Sequence, residues 1–367
     1  RNVPKANGNF GYMLTAVTRP SINREAYVQV IDFDFKPSAP SRFYGWVSQS
    51  KIKDNSQDVS GIGARLVATR GFSDQLFVLG ALNYLDEDFD INDMGYLEEN
   101  NKISLGGFLQ YINPIKNENS KVSQTIFRVN GGHNRSTEGY SSGIGLNTEL
   151  EFFMRDNSYI SLKCDCTVMR GKNFTETRNF VDAPFIESLA KYNLQLAYFS
   201  PRTNKIRPYV KFGLGTDGYR SDDPSIDLQS ESAKLGAGLI LTTSTQLRAS
   251  LNFFEYQKQN NWSIWQEDNL FGYFEKEMIS SGIDIDWFPG TNQEFRLKAF
   301  IYGIRASDAR AFRVNASGFM TAAIDDLNEF QLSEVAFQVR YKYEFSPLSN
   351  LYVVYTRGGK SSGALND

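Results

Sequence analysis

The sequence predicts an all-β fold: a large antiparallel transmembrane β-barrel of the bacterial outer membrane, with about 16–18 strands in this chain. Three observations lead to this prediction. Apolar and polar residues alternate with a period of two from one end of the chain to the other. The alternating segments are about ten residues long, which suits a tilted strand that crosses a bilayer. Short connections alternate with long polar ones, as the periplasmic turns and extracellular loops of outer-membrane barrels do.

The composition excludes several other classes of protein. The chain has 367 residues, a formal net charge of -3, 41% hydrophobic residues and 14% aromatic residues. This aromatic content excludes a disordered chain, and the near-neutral charge argues against a nucleic-acid binder. One His and two Cys, Cys164 and Cys166, offer little material for a zinc site, which needs three or four ligands. No apolar run is long enough for a transmembrane helix.

The period-two alternation is clearest near the C-terminal end. From Val335 to Phe345 the odd positions are apolar, whereas most even positions from Glu334 to Glu344 are polar or charged. Such alternation indicates a strand with two different faces. The same pattern predicts seventeen strands, at 9–18, 26–36, 42–51, 60–70, 75–85, 102–112, 121–133, 141–154, 158–170, 191–200, 205–214, 231–242, 245–256, 276–288, 293–304, 331–345 and 349–357.

The connections between these strands fall into two sets. The short ones are Pro37–Ser41, Gly71–Asp74, Asn113–Ser120, Arg155–Asn157, Ser200–Asn204, Thr243–Ser244, Pro289–Asn292 and Ser346–Leu348. The long ones are Asp86–Asn101, Gly171–Ala190, Thr216–Gln229, Gln257–Glu275 and Arg305–Phe330. Aromatic residues such as Trp287 and Tyr343 cluster beside the short turns, which predicts an aromatic girdle at one membrane interface.

Strand parity predicts that the chain is part of a larger barrel. Single-chain bacterial barrels have an even number of strands, whereas seventeen are predicted here. Residues 1–367 are therefore expected to form one transmembrane barrel domain that lacks terminal strands. The start of the chain, Arg1–Asn9, carries no recognisable signal peptide.

Charged residues on the polar strand face are expected to point into the barrel. A Lys or Arg that faced lipid near the bilayer centre would cost about 2–4 kcal/mol. Asp284 and Asp286 are expected to pair with Arg296 and Lys298. Structural ion-pair ladders and the lining of a permeation path both remain open for this set. The predicted lumen-lining residues are Arg65, Arg128, Glu149, Glu151, Lys163, Asp165, Arg207, Lys211, Lys234, Arg248, Asp284, Asp286, Arg296, Lys298, Arg340 and Lys342.

The acidic stretch Asp86–Gly95 partly matches a calcium-binding loop. Asp88, Asp90, Asn92 and Glu99 fall at the first, third, fifth and twelfth positions of such a loop. However, Asp93 stands where the sharp turn requires glycine. A weak extracellular calcium site and a solvated loop tip that contacts lipopolysaccharide are the two interpretations. No other cofactor is expected.

One motif resembles that of a hydrolase. Gly139–Gly143 matches the G-x-S-x-G nucleophile elbow, and His133 lies nearby. The elbow requires a buried strand followed by a helix, and here it leads into an alternating strand. We therefore expect that the protein is not an enzyme.

Three stretches resemble a known family. Gly11–Pro20, Phe89–Leu97 and Tyr341–Tyr355 are similar to an outer-membrane barrel family of unassigned function. Its members usually carry the barrel C-terminal to a carbohydrate-binding domain of the family-nine type, with further strands before and after these stretches. The resemblance implies a barrel whose N-terminal domain is not part of residues 1–367. It hints at glycans, but it supplies no catalytic or glycan-binding residue.

These observations together predict an integral protein of the outer membrane that acts as a channel or transport pore, with oligosaccharides as candidate solutes. The alternative is a membrane-embedded scaffold that docks surface proteins or a secretion apparatus through its loops. The expected partners are the lipid bilayer, lipopolysaccharide, glycans and other outer-membrane or surface proteins, with no nucleic acid. Fold alone does not decide between pore and scaffold.

Overall fold

The computed structural model of the chain describes residues 7–54, 58–95, 97, 100–174, 185–203, 205–244 and 246–364. The chain divides into two compact units. The first unit comprises Arg1–Asn113, Ile126–Thr148 and Cys166–Asn179. The second unit comprises Pro114–Thr125, Glu149–Asp165 and Phe180–Asp367. Each unit is described separately below.

Strands occupy most of the described residues. In chain order they are β1 (Asn7–Arg19), β2 (Arg24–Ser38), β3 (Ser41–Lys53), β4 (Asp58–Gly71), β5 (Leu76–Leu85), β6 (Lys102–Pro114), β7 (Val122–Arg135), β8 (Ser141–Met154), β9 (Tyr159–Met169), β10 (Lys172–Asn173), β11 (Ile186–Glu187), β12 (Tyr192–Phe199), β13 (Ile206–Gly218), β14 (Gln229–Ser244), β15 (Leu247–Glu267), β16 (Leu270–Gly290), β17 (Gln293–Val314), β18 (Met320–Ala322), β19 (Phe330–Ser346) and β20 (Ser349–Ala364). A short 3-10 turn, Pro20–Ile22, joins the first two strands. No helix in the described ranges is long and apolar enough to span a membrane.

The pairing of these strands confirms the antiparallel all-β prediction. In the first unit, β1 to β6 form successive antiparallel hairpins. In the second unit, β12 to β17 do the same, and β17 then pairs with β19 and β19 with β20. A strand is present at every one of the seventeen predicted positions, and β10, β11 and β18 are additional short strands. The described strand pairs do not form a closed barrel.

One predicted loop is wrong. The stretch Gln257–Glu275 was expected to be a long polar loop, but β15 and β16 continue through it to a tight turn at Asp268–Asn269. The strands continue because their far ends carry aromatic residues, such as Phe271 and Tyr273, that pack in a local core. Likewise, β17 runs on to Val314 into the predicted loop Arg305–Phe330.

The far ends of these strands form a small folded core in the second unit, which we call the end projection. It consists of Ile186, Leu228, Phe271, Tyr273, Phe312, Val314 and Met320, all nearly inaccessible to solvent. The rings of Tyr273 and Phe312 meet edge to face at 5.0 Å. Burial of aromatic side chains of this size is a strong driving force for local folding. The described residues around the end projection are therefore held in place by packing.

An ion pair lies beside the end projection. The guanidinium of Arg313 donates hydrogen bonds of 3.1 and 2.7 Å to the carboxylate of Asp325. These bonds hold the pKa of Asp325 below its ordinary value. Because the pKa of Asp325 is lowered in the folded state, the ion pair stabilises the fold at pH values above the ordinary carboxyl pKa. This stabilisation is lost as the pH falls through the lowered pKa.

Candidate functional site

Register places the predicted charged residues of β13 to β19 on one face of the second unit. Arg248 lies opposite Asp286, Asp286 opposite Arg296, and Arg296 opposite Arg340. Directly opposed residues of an antiparallel pair have side chains on the same face. We call this the polar face. The predicted residues on it are Arg207, Lys211, Lys234, Arg248, Asp284, Asp286, Arg296, Lys298, Arg340 and Lys342.

The opposite face of the same strands is apolar and exposed. On β16 it carries Ile279, Ile283 and Trp287, and each of these large side chains is exposed. We call this the apolar face. Its exposed members also include Tyr192, Leu194, Leu196, Tyr198, Val210, Phe212, Leu214, Leu235, Ile301, Val335, Leu351, Val353 and Tyr355. Arg357 departs from the pattern, since it lies opposite Phe337 on this face.

Ion pairs on the polar face agree with the predicted pairing. Arg296 Nε is 3.3 Å from Asp286 Oδ1, and Lys298 Nζ is 3.1 Å from Asp284 Oδ2. The predicted pairing of these four residues is therefore confirmed. In the same unit, Lys163 Nζ lies 2.9 Å from Glu149 Oε1.

Glu294 is the most connected acid on the polar face, and the sequence analysis missed it. Its carboxylate accepts from Arg340 and also pairs with Arg296. Its side chain is 15% exposed, less than either arginine. Glu294 has the same strand parity as Arg296 and Lys298, so the alternation that identified those residues could have identified it as well.

Glu294→Gln is expected to destabilise the protein by about 1–2 kcal/mol, because it leaves two half-buried guanidinium groups without their shared carboxylate. Asp284→Asn is the matched control: its partner Lys298 is largely exposed, so its loss should cost under about 0.5 kcal/mol. Urea unfolding of both variants measures the difference. If the two variants had equal free energies of unfolding, the ion pairs of Glu294 would contribute nothing to stability.

A group of basic residues on β13 to β15 has no ion-pair partner within the described ranges: Lys211, Lys234 and Arg248. Two of them line a polar cavity of about 100 Å³ together with Asn193, Gln195 and Glu255. Gly213 and Gly236 open this cavity, because they contribute no side chain to the polar face. The result is a recess with amide, ammonium and carboxylate groups around it.

A row of aromatic rings lies beside these residues in the second unit. Tyr159 stacks on Phe153 at 5.8 Å and on Phe199 at 4.5 Å between ring centroids. Phe199 in turn stacks on Tyr209 at 5.3 Å, and Lys211 Nζ lies 5.2 Å from the centre of the Tyr209 ring. Tyr209 and Lys211 are two residues apart on β13, so their side chains lie on the same face. The row of rings therefore belongs to the polar face.

The remaining predicted residues of this unit also have polar neighbours. Asn193 Nδ2 donates to Asp165 Oδ2 at 3.4 Å. Glu151 lies on β8 with the same parity as Glu149. Arg207 Nε donates to the carbonyl oxygen of Ser200 at 3.4 Å.

Two predicted lumen residues belong to the first unit. Arg65 shares its face with Trp46 and Asp32, which lie opposite one another across β2 to β4. We call this the inner face of the first unit. Arg128 Nε donates to Gln110 Oε1 at 3.0 Å. The other face of these strands exposes Phe10, Tyr12, Leu14, Ile31, Val47, Ile62, Leu66 and Leu82.

The acidic loop, Asp86–Gly95, folds onto the inner face of the first unit. Phe89 is 2% exposed and stacks on Trp46 at 6.5 Å. It lies in a notch formed by Gly61 and Gly63: a Cβ atom on Gly61 would be 2.1 Å from Phe89 N. The backbone N–H of Asp90 donates to Ser50 Oγ at 3.0 Å. Only glycine at position 61 allows this close approach.

Arg24 holds the same loop by its charge. Its guanidinium lies 2.8 Å from Asp93, 3.3 Å from Asp54 and 3.8 Å from Asp90. Asp93, which interrupted the calcium pattern, is thus an anchor of the loop, and its side chain is 5% exposed.

The residues of the predicted calcium site are partly engaged elsewhere. Asp90 Oδ1 accepts from both the backbone and the side-chain nitrogen of Asn92, at 2.8 Å each. The backbone N–H of Asp88 donates to Asp86. Glu99 lies outside the described residues. Within the described ranges no group of three acidic, His or Cys side chains could hold a metal, and the calcium site stays a prediction.

The hydrolase-like motif has no catalytic geometry in the described residues. His133 Nδ1 lies 2.8 Å from the carbonyl oxygen of Gly143. Gly139 and Gly143 adopt positive φ angles of 102° and 82°. The motif residues therefore shape a turn, and the histidine is directed at the backbone.

The comparisons with known proteins bear on the whole chain. The model of a domain of unknown function, DUF5916, matches residues 5–364. The chain belongs to the DUF5916 family. The match extends from β1 to β20 and therefore includes the strands of both units. Comparisons with curated proteins and with solved structures find no match.

Membership of the DUF5916 family agrees with the resemblance to a family of unassigned function. The family match supplies neither a carbohydrate-binding domain nor a barrel. Function must therefore be argued from the two faces of the strands.

Proposed function

We propose that this DUF5916 chain forms a transmembrane β-barrel of the bacterial outer membrane, whose polar face lines a pore for hydrophilic solutes. The observation that supports this proposal is the division of the second unit's strands into an exposed apolar face and a charged polar face. In a membrane barrel the apolar face meets lipid and the polar face meets water.

The extent of the apolar face fits the thickness of a membrane. On β16 it runs from Ile279 to Trp287, and the next residue on that face, Glu277, is charged. Eight steps of about 3.4 Å give about 27 Å along the strand, or about 21 Å of height at a tilt of about 40°. Outer-membrane barrels have an apolar band about 25 Å tall. Trp287 and Phe295 meet edge to face at its lower border, where an aromatic girdle is expected.

A water-soluble protein would not tolerate this face uncovered. Soluble monomers rarely expose a contiguous apolar patch larger than a few hundred Å² (about 300–600 Å²). Here large apolar side chains are exposed on strand after strand of the second unit, and the first unit has a comparable face. Lipid is the covering that explains both faces without a separate protein partner for each.

The proposal also requires partners for the strand edges. An unpaired strand edge is not tolerated in the hydrocarbon region, because water is absent there to bind its N–H and C=O groups. In a membrane, every strand edge of the proposed barrel must therefore have a hydrogen-bonded partner strand.

The groups on the polar face favour uncharged, hydroxyl-rich solutes such as oligosaccharides. Its acidic residues Asp284 and Asp286 are neutralised by Lys298 and Arg296. The recess around Asn193 and Gln195 offers amides, which can donate and accept hydrogen bonds with sugar hydroxyls. The remaining unpaired lysines give the surface a mild preference for anions among small ions.

Single-channel recording in a planar lipid bilayer tests the pore. The folded protein is expected to conduct in discrete steps, and malto-oligosaccharides are expected to interrupt them. Lys211→Glu with Lys234→Glu should shift the reversal potential toward cations, whereas Lys258→Glu, on the other face of β15, should not. A silent bilayer, with folding shown by heat-shifted gel mobility, would contradict the pore.

The scaffold alternative is favoured by the end projection, whose buried aromatic core gives the described residues around it a fixed arrangement. Ordered surfaces of this kind suit protein docking better than disordered loops do. If the folded protein does not conduct, the scaffold becomes the proposed function. Its own test is whether Tyr273→Ala, which disrupts the end projection, abolishes binding of a co-purified partner while the barrel stays folded.

A further inference from the structure

A cavity of about 460 Å³ lies in the first unit between the inner face and the acidic loop. Its walls come from β1, β2, β3 and the segment that follows β5. They are formed by Met13, Thr15, Val28, Val30, Trp46, Ser48, Leu85, Phe89, Ile91, Met94, Gly95 and Leu97. This volume and its largely apolar lining match the sites at which proteins bind small molecules.

One polar group in this wall has no partner. Ser48 is 5% exposed, and its hydroxyl makes no hydrogen bond. An unsatisfied buried hydroxyl costs about 1–3 kcal/mol, so native structures usually supply a partner. The neighbouring Ser50 hydroxyl, by contrast, accepts the backbone N–H of Asp90. Ser48 is therefore suited to bind a polar group of a molecule in the cavity.

The charges nearby exclude a charged ligand. Arg24, the strongest cation at this loop, is engaged with Asp93, Asp54 and Asp90 and does not line the cavity. A carboxylate or ammonium group would lose its hydration without gaining an ion pair. Met13 is 54% exposed and marks the open side of the cavity next to β1.

We propose that the cavity under the acidic loop binds a neutral, mostly apolar molecule with a single hydroxyl or carbonyl group, which Ser48 recognises. Trp46 and Phe89 form the aromatic wall against which the apolar part lies. The bound molecule also packs against Ile91 and Met94, and therefore stabilises the closed position of the loop. This site is distinct from the polar face of the second unit.

Quenching of tryptophan fluorescence by ω-bromodecanol tests this site, because bromine quenches an indole that it contacts. The experiment uses the full chain in lipid nanodiscs. A saturable component of quenching is expected, and Trp46→Phe should remove it. Bromodecane, which lacks the hydroxyl, should bind about fivefold more weakly, and Ser48→Ala should reduce the affinity for the alcohol by a similar factor. Bromodecanoate should bind least of the three.

Two adjacent substitutions on β2 provide the control. Val30→Phe fills the cavity and should abolish the saturable component. Ile31→Phe adds the same ring on the opposite, exposed face and should leave it unchanged. Quenching that rises without saturation and equally in both variants would show only partition into lipid and would overturn the proposal. Stronger binding of bromodecanoate than of bromodecanol would overturn it too. Neither the saturation of quenching nor the order of the affinities depends on whether the protein conducts ions.

Discussion

Ile283→Lys is expected to destabilise the protein in lipid vesicles by about 2–4 kcal/mol. Ile283 lies in the middle of the apolar face, opposite Leu251 on one side and Ala299 on the other. If this face meets lipid, the ammonium group must leave water or distort the bilayer. Urea unfolding from vesicles, followed by tryptophan fluorescence and heat-shifted gel mobility, gives the free energy of unfolding.

Ser250→Lys is the matched control for this substitution. Ser250 lies at the same depth but on the polar face, directly opposite Asp284. The new lysine would be hydrated and could pair with that carboxylate, so the stability should change by less than about 0.5 kcal/mol. If both variants unfolded at the same urea concentration, the apolar face would not be in contact with lipid. Equal stability of the two would therefore reject the membrane assignment, whatever the pore does.

The strands could be predicted from sequence because one local signal specifies both their existence and their faces. Each strand has a period of two, so parity alone identified Asp284, Asp286, Arg296 and Lys298 as neighbours on one face. Register then brought them within ion-pairing distance. Glu294 obeys the same parity, so the same signal could have predicted it.

The end projection could not be predicted in this way. Its residues come from positions as far apart as Ile186 and Met320, and no local period connects them. Where Phe271 and Tyr273 lie, consecutive residues on both faces of β16 are buried, so apolar and polar residues no longer alternate. The sequence therefore resembled a polar loop, although packing keeps the chain in β-structure up to Asp268.

The packing of the acidic loop onto the inner face could not be predicted from sequence for a related reason. A run of carboxylates indicates a solvated segment, and a calcium site was the only specific alternative. The structural signal was instead the pair Gly61 and Gly63, two residues apart on one face of β4, together with the single aromatic residue Phe89. Two glycines at that spacing leave a notch on one face, but the sequence does not show which side chain fills it.

Phe89→Ala is expected to release the acidic loop from the inner face. Phe89 is 2% exposed, and truncation of a fully buried phenylalanine costs about 3–5 kcal/mol. The loop can open without unfolding the strands, so this free energy acts on local opening. At about 1.4 kcal/mol per tenfold, the protection of the loop amides should fall at least about a hundredfold. Hydrogen exchange at Asp90 and Gly95 measures it, since the N–H of Asp90 donates to Ser50 Oγ on β3 and the N–H of Gly95 to the carbonyl oxygen of Ile91.

Two further variants separate release of the loop from a general loss of packing. Phe72→Ala removes an exposed phenylalanine from a turn of the same unit and should leave the loop protected. Gly61→Ala keeps Phe89 but places a methyl group on its backbone, so it should expose the loop as Phe89→Ala does. If Gly61→Ala left the protection intact, the glycine notch would not be what holds the loop. If it released the loop, the cavity above β1 to β3 would lose its Phe89 and Ile91 wall, and binding of bromodecanol would fall with it.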